Sequence, residues 1–97
     1  MNDDLKEFSD DVCEAIDRAR DWQDVEYFVG EQIYIHSPWV WGNVKEIQSA
    51  IRMAIRNSSN KNVKEGRNKA LLDYIWGSVE SDKRHISWLQ QQETESA

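Results

Sequence analysis

Seven carboxylates near the start of the chain have an ordered spacing. Asp3, Glu7, Asp10, Glu14, Asp17, Asp21 and Asp24 step by 4, 3, 4, 3, 4 and 3 residues. On a helix turning ~100° per residue they cluster within about a third of the circumference, with successive acids ~5 Å apart along the axis. Such a row can dock on a basic protein surface. It can also stand in for a nucleic-acid backbone, as a decoy in a groove that normally holds phosphates. Like charges at i,i+4 mildly destabilise a helix, and a surface shaped only for solubility would intersperse lysines. Only Lys6 lies near the row. The plain alternative is a solvated helix face in an acidic protein.

The charge as a whole is spread unevenly along the chain. The 97 residues hold 18 Asp and Glu against 12 Lys and Arg, a formal charge of −6. Residues 1–31 carry a net of −8, residues 32–44 carry no charged side chain, residues 45–71 carry +5 and residues 72–97 carry −3. In the basic segment, Lys45, Arg52 and Arg56 fall on one side of a helix, while Lys61, Lys64, Arg67 and Lys69 gather at the start of the next. This supports a second reading, a helix-turn-helix-like nucleic-acid-binding module using Lys45, Arg52, Arg56, Lys64, Arg67, Asn68 and Lys69, with Arg reading guanine and Asn reading adenine. Two features count against it. The connection at residues 57–61 is longer than the usual three or four residues, and nucleic-acid-binding domains are normally basic. A third reading is a homo-oligomeric, self-assembling subunit in which acidic and basic patches pair between copies.

A catalytic kit is not legible. The histidines are His36 and His85, and the single cysteine is Cys13. His36, ahead of Ser37 and Pro38, reads as a loop residue, and His85 as an exposed flank residue. Cys13 has acidic neighbours that disfavour a thiolate, so it reads as a core-boundary residue. No His/Cys cluster, EF-hand loop or phosphate-binding glycine motif occurs. The expectation is a non-enzyme with no metal and no cofactor. Binding residues are then sought among the carboxylate row and the five tryptophans, since Trp is enriched at binding hot spots. Trp39 and Trp41, in an uncharged connector beside a turn, are the candidate anchors.

The elements that must position these residues read as an all-α bundle of three or four helices. Leu5, Phe8, Val12, Ala15, Ile16 and Ala19 give a first helix from about Asp3 to Arg20, with its apolar face opposite the acids. Asp21 to about Ile35 reads as a second helix capped by Asp21, although Tyr27–Val29 and Ile33–Ile35 flanking Gly30 are also compatible with a short hairpin or irregular segment around residues 27–35. Asn43 with Glu46 caps a third helix bearing Val44, Ile47, Ile51, Ala54 and Ile55. Asn62 with Glu65 repeats the signal for a last helix whose apolar face runs from Leu71 to Leu89. Residues 1–90 form one expected domain, and residues 91–97 an expected frayed polar tail.

No apolar run approaches the ~20 residues of a membrane span, and the acidic start of the chain lacks the character of a signal peptide. A cytoplasmic protein with no membrane partner is expected. In general type, though through no shared motif, it is comparable to phage-type counter-defence inhibitors and toxin-immunity proteins. The function expected is a small acidic effector that inhibits or modulates a basic, nucleic-acid-handling protein by occlusion.

Overall fold

The computed structural model describes residues 3–64 and 68–96. Five helices and a short 3-10 turn follow one another: α1 (Asp3–Arg18), α2 (Trp22–His36), the turn Pro38–Val40, α3 (Val44–Asn57), the single-turn α4 (Lys61–Lys64) and α5 (Asn68–Ser96). The described residues contain no strand, so the fold is the all-α bundle that the apolar periodicity implies.

The four long helices form a ring. α1 packs on α3 and α2, and α5 packs on the same two helices from the other side. The core between them includes Phe8, Val12 and Ile16 of α1, Val25, Val29 and Ile33 of α2, Ile51 and Ile55 of α3, and Leu71, Ile75 and Val79 of α5. In each case the buried positions recur at three or four residues, so one apolar stripe per helix meets the centre.

Residues 27–35 are helical throughout, which removes the hairpin alternative. Asp21 accepts a hydrogen bond from the Asp24 N–H at 2.9 Å and so caps the first turn. Val25, Val29 and Ile33 are buried at steps of four, while Tyr27 and Ile35, which a period-two strand would place on the same face, are exposed. The helix includes His36, so that residue is not in a loop. It ends at Ser37, whose φ of 45° lies in the left-handed region while its N–H reaches the Ile33 carbonyl.

Two further boundaries differ from expectation. α1 stops at Arg18, because the Asn60 side-chain amide donates to the carbonyls of Ile16 (2.8 Å) and Ala19 (2.6 Å), replacing the next helical turn. Asn62 lies inside α4, and Asn60 is the residue whose Oδ1 accepts from the Val63 N–H at 3.3 Å. Glu65, the expected partner in the cap, lies outside the described residues. α5 continues unbroken through Gly77 and Ser78, and its backbone is helical to Ser96, within the segment expected to be a polar tail. At 29 residues α5 spans ~43 Å, about twice the length of α3, so its second half runs past the bundle. Ile86 and Leu89 lie in that half, and their side chains are outside the described set. No helix among the described residues is long and apolar enough to cross a membrane.

Candidate interaction surfaces

The carboxylate row divides at the end of α1. Asp3, Glu7, Asp10 and Glu14 are exposed on the face opposite Leu5, Phe8, Val12 and Ile16, and among the described residues no cation pairs with any of them. Asp17 is on the same face but is engaged. Its Oδ1 accepts from the Ser58 hydroxyl (2.6 Å) and the Ser59 N–H (2.8 Å), and the Cys13 thiol approaches its Oδ2 at 3.9 Å. Asp21 and Asp24 belong to the turn and first turn of α2, so the row does not continue to Asp24 along a single helix. Asp21 is the cap already described. Asp24 accepts from the Arg20 backbone N–H (3.0 Å) and guanidinium (3.2 Å), which hold its carboxyl below the ordinary aspartate value of 3.8. The seven regularly spaced acids are thus four free carboxylates and three structural ones.

The tryptophan connector folds back onto the bundle. The Trp41 indole N–H donates to the His36 carbonyl at 2.9 Å, and its ring meets Phe8 edge-on with centroids 5.9 Å apart. His36 in turn lies 2.7 Å from Asp11 Oδ2 and packs edge-on against Phe8 at 5.5 Å. This group of Phe8, Asp11, His36 and Trp41 joins α1, α2 and the connector, and places Trp41 in a structural role. Val40 is the exposed residue of the connector.

Trp39 is half-buried and faces a different feature. A cleft of about 680 Å³ lies between the connector, the start of α3 and the stretch of α5 from Trp76 to Gln91. Its apolar lining comes from Trp39, Val44, Ile47, Trp76, Val79 and Trp88, and its charged lining from Glu80, Lys83 and Arg84. Gly42 sets how closely the connector approaches α3. A Cβ there would sit 3.1 Å from Ile47 Cγ1 and 3.3 Å from the Pro38 carbonyl, to which the Gly42 N–H donates. The period-3.6 reading did not reveal this cleft, because its residues come from three separate elements. The spacing of Trp76, Glu80, Lys83, Ser87 and Gln91 on one face of α5 was the available signal.

The basic residues are partly gathered. Arg52, Arg56, Asn68 and Lys69 surround a shallow depression of about 320 Å³ over Ile55 and Leu72. Lys45 is exposed at the other end of α3, ~10 Å along the axis from Arg52. The Lys64 side chain and the whole of Arg67 lie outside the described residues. Among the described residues, no group of three or more His, Cys, Asp or Glu side chains has the geometry to hold a metal ion.

Compared with protein-family models, with curated proteins and with solved structures, the chain matches none.

Proposed function

We propose that this protein is a non-enzymatic, cytoplasmic binding effector that docks the exposed face of α1 on a basic, nucleic-acid-handling protein and inhibits or modulates it by occlusion. The observation that carries this reading is the row of Asp3, Glu7, Asp10 and Glu14, left exposed and unpaired among the described residues while every neighbouring acid from Asp17 to Asp24 in the same register is engaged. Complementary charge raises association rates and sets orientation, and a rigid helix presents its charges without a backbone ordering cost at binding.

The four acids span ~16 Å, one charge per ~5 Å of axis. One DNA strand carries a charge about every 3.4 Å. The row is therefore sparser than a phosphate backbone and suits a groove that contacts phosphates through a few separated cations. The analogy with counter-defence and immunity proteins is one of general type, and capture of the partner from the native host identifies its class.

The test reverses only the free acids. Glu7→Lys, Asp10→Lys and Glu14→Lys together leave the far-ultraviolet circular dichroism unchanged and abolish retention of the partner. A folded triple variant that retains its partner as well as the parent disproves docking through α1.

A second reading is favoured by the basic depression. Arg52, Arg56 and Lys69 converge there with Asn68, a set able to hold a phosphate backbone and one base edge. It ranks below the first because the net charge of −6 opposes approach to nucleic acid. Salt-dependent retardation of duplex DNA at micromolar protein, lost in Arg52→Glu with Arg56→Glu, reverses that ranking. Self-assembly through the acidic and basic patches is the third outcome, read as a salt-sensitive rise in mass by sedimentation.

A further inference from the structure

The cleft along the middle of α5 has a chemistry unlike the rest of the molecule. Its volume of about 680 Å³ falls within the range of small-molecule sites. Three of the five tryptophans line it, and Trp88, stacked on His85 at 6.3 Å, remains 54 % exposed. Val44 at the opposite wall is also exposed. A large aromatic ring left half in water beside an exposed valine is an apolar surface without a partner in the monomer.

The charge at the mouth sets the class of occupant. Glu80, Lys83 and Arg84 are the charged lining residues, a local net of +1 in a protein whose total is −6. Lys83 pairs with no acid among the described residues. Arg84 is paired with Glu80 at 3.2 Å, one turn away on the same exposed helix face. Such pairs contribute only about 0–1 kcal/mol, so an incoming carboxylate exchanges readily with Glu80. Indole faces stack on a planar apolar body, and the two cations receive an anionic group at its edge.

We infer that this cleft binds a small organic anion consisting of a flat apolar body and one carboxylate or equivalent acid. The site is independent of the α1 face, so loss of one does not imply loss of the other.

The experiment titrates the full chain, followed by two-dimensional amide NMR, with naphthylacetate, naphthylacetamide and naphthylmethylammonium. These share one body and carry negative, zero and positive charge. Saturable shifts are expected at Val44, Ile47, Trp76, Val79 and Lys83, with the acetate about tenfold tighter than the ammonium. Trp88→Ala weakens all three ligands, while Lys83→Glu with Arg84→Glu reverses the charge order. All three residues are exposed, so these variants keep the fold. The α1 triple reversal binds naphthylacetate like the parent. Absence of saturable shifts, shifts scattered over the bundle, or a charge order that Lys83→Glu with Arg84→Glu leaves unchanged overturns the proposal.

Discussion

The first and second halves of the carboxylate row have the same spacing and different fates. Asp3, Glu7, Asp10 and Glu14 lie along the body of α1, where the helix satisfies its own backbone and leaves the side chains to solvent. Asp21 and Asp24 lie at the start of α2 and Asp17, near the end of α1, faces the turn after α3, where the N–H groups of Asp24, Arg20 and Ser59 have no helical acceptor. A carboxylate near an unsatisfied N–H is recruited to it, because an orphan donor is more costly than a solvated acid. Periodic spacing therefore reports which face an acid occupies, and position relative to a helix end reports whether it is available. A docking surface is sought in the first half, and the second half explains how α1, α2 and the turn after α3 are joined.

This contrast can be broken in order of expected effect. Asp17→Ala removes the acceptor for the Ser58 hydroxyl and the Ser59 N–H, and Ser58 is only 5 % exposed. The expected loss is about 2–3 kcal/mol, read as a lower urea midpoint. Asn60→Ala acts on the reciprocal side of the same junction by uncapping Ile16 and Ala19, and a similar loss is expected. A neutral Asp17→Ala would mean that Asp17 belongs with the free acids. Asp21→Ala comes next, at about 1 kcal/mol for a lost N-cap.

Asp24→Asn is smaller, and its signature is pH dependence. Arg20 holds the Asp24 carboxyl below 3.8, so the folded state favours the ionised form. The stabilisation is thus present above the ordinary value and is lost as pH falls through the lowered one. The difference between parent and variant in urea unfolding is expected to be largest above the ordinary aspartate value and to vanish as pH falls below the lowered one. A difference that grows on acidification contradicts the assigned contact. Last, Asp10→Ala and Glu14→Ala are expected within about 0.5 kcal/mol of the parent, with any change falling on partner binding alone. A loss of ~2 kcal/mol from either would show that α1 carries no free acidic face.

Much of the fold was legible because local rules and burial agree. The apolar residues of α1 and α3 recur at helical spacing, and Asn43 forms the N-cap of α3, its Oδ1 accepting from the Glu46 N–H at 2.9 Å. Three features were less legible. Residues 27–35 are rich in β-branched and aromatic residues around a glycine, so local preference was divided; the burial of Val25, Val29 and Ile33 on one side resolves it. The end of α1 depends on Asn60, 41 residues beyond Ala19, and a contact of that separation leaves no trace in a local pattern. His36 read as an isolated loop residue because its partner Asp11 is 25 positions away on another helix.

By itself, the sequence determined the all-α class, the apolar faces of α1 and α3, the cap of α3, the side of α1 on which the acids stand, and the uneven charge. These follow from periods of 3.6 residues and from side chains that act on their neighbours within a turn. The tertiary structure alone decided which acids remain free, that Trp41 and His36 lock the connector onto Phe8, and that Trp39, Trp76 and Trp88 converge on one cleft. Each of those depends on groups far apart in the chain, brought together only when the apolar stripes of four helices are buried against one another.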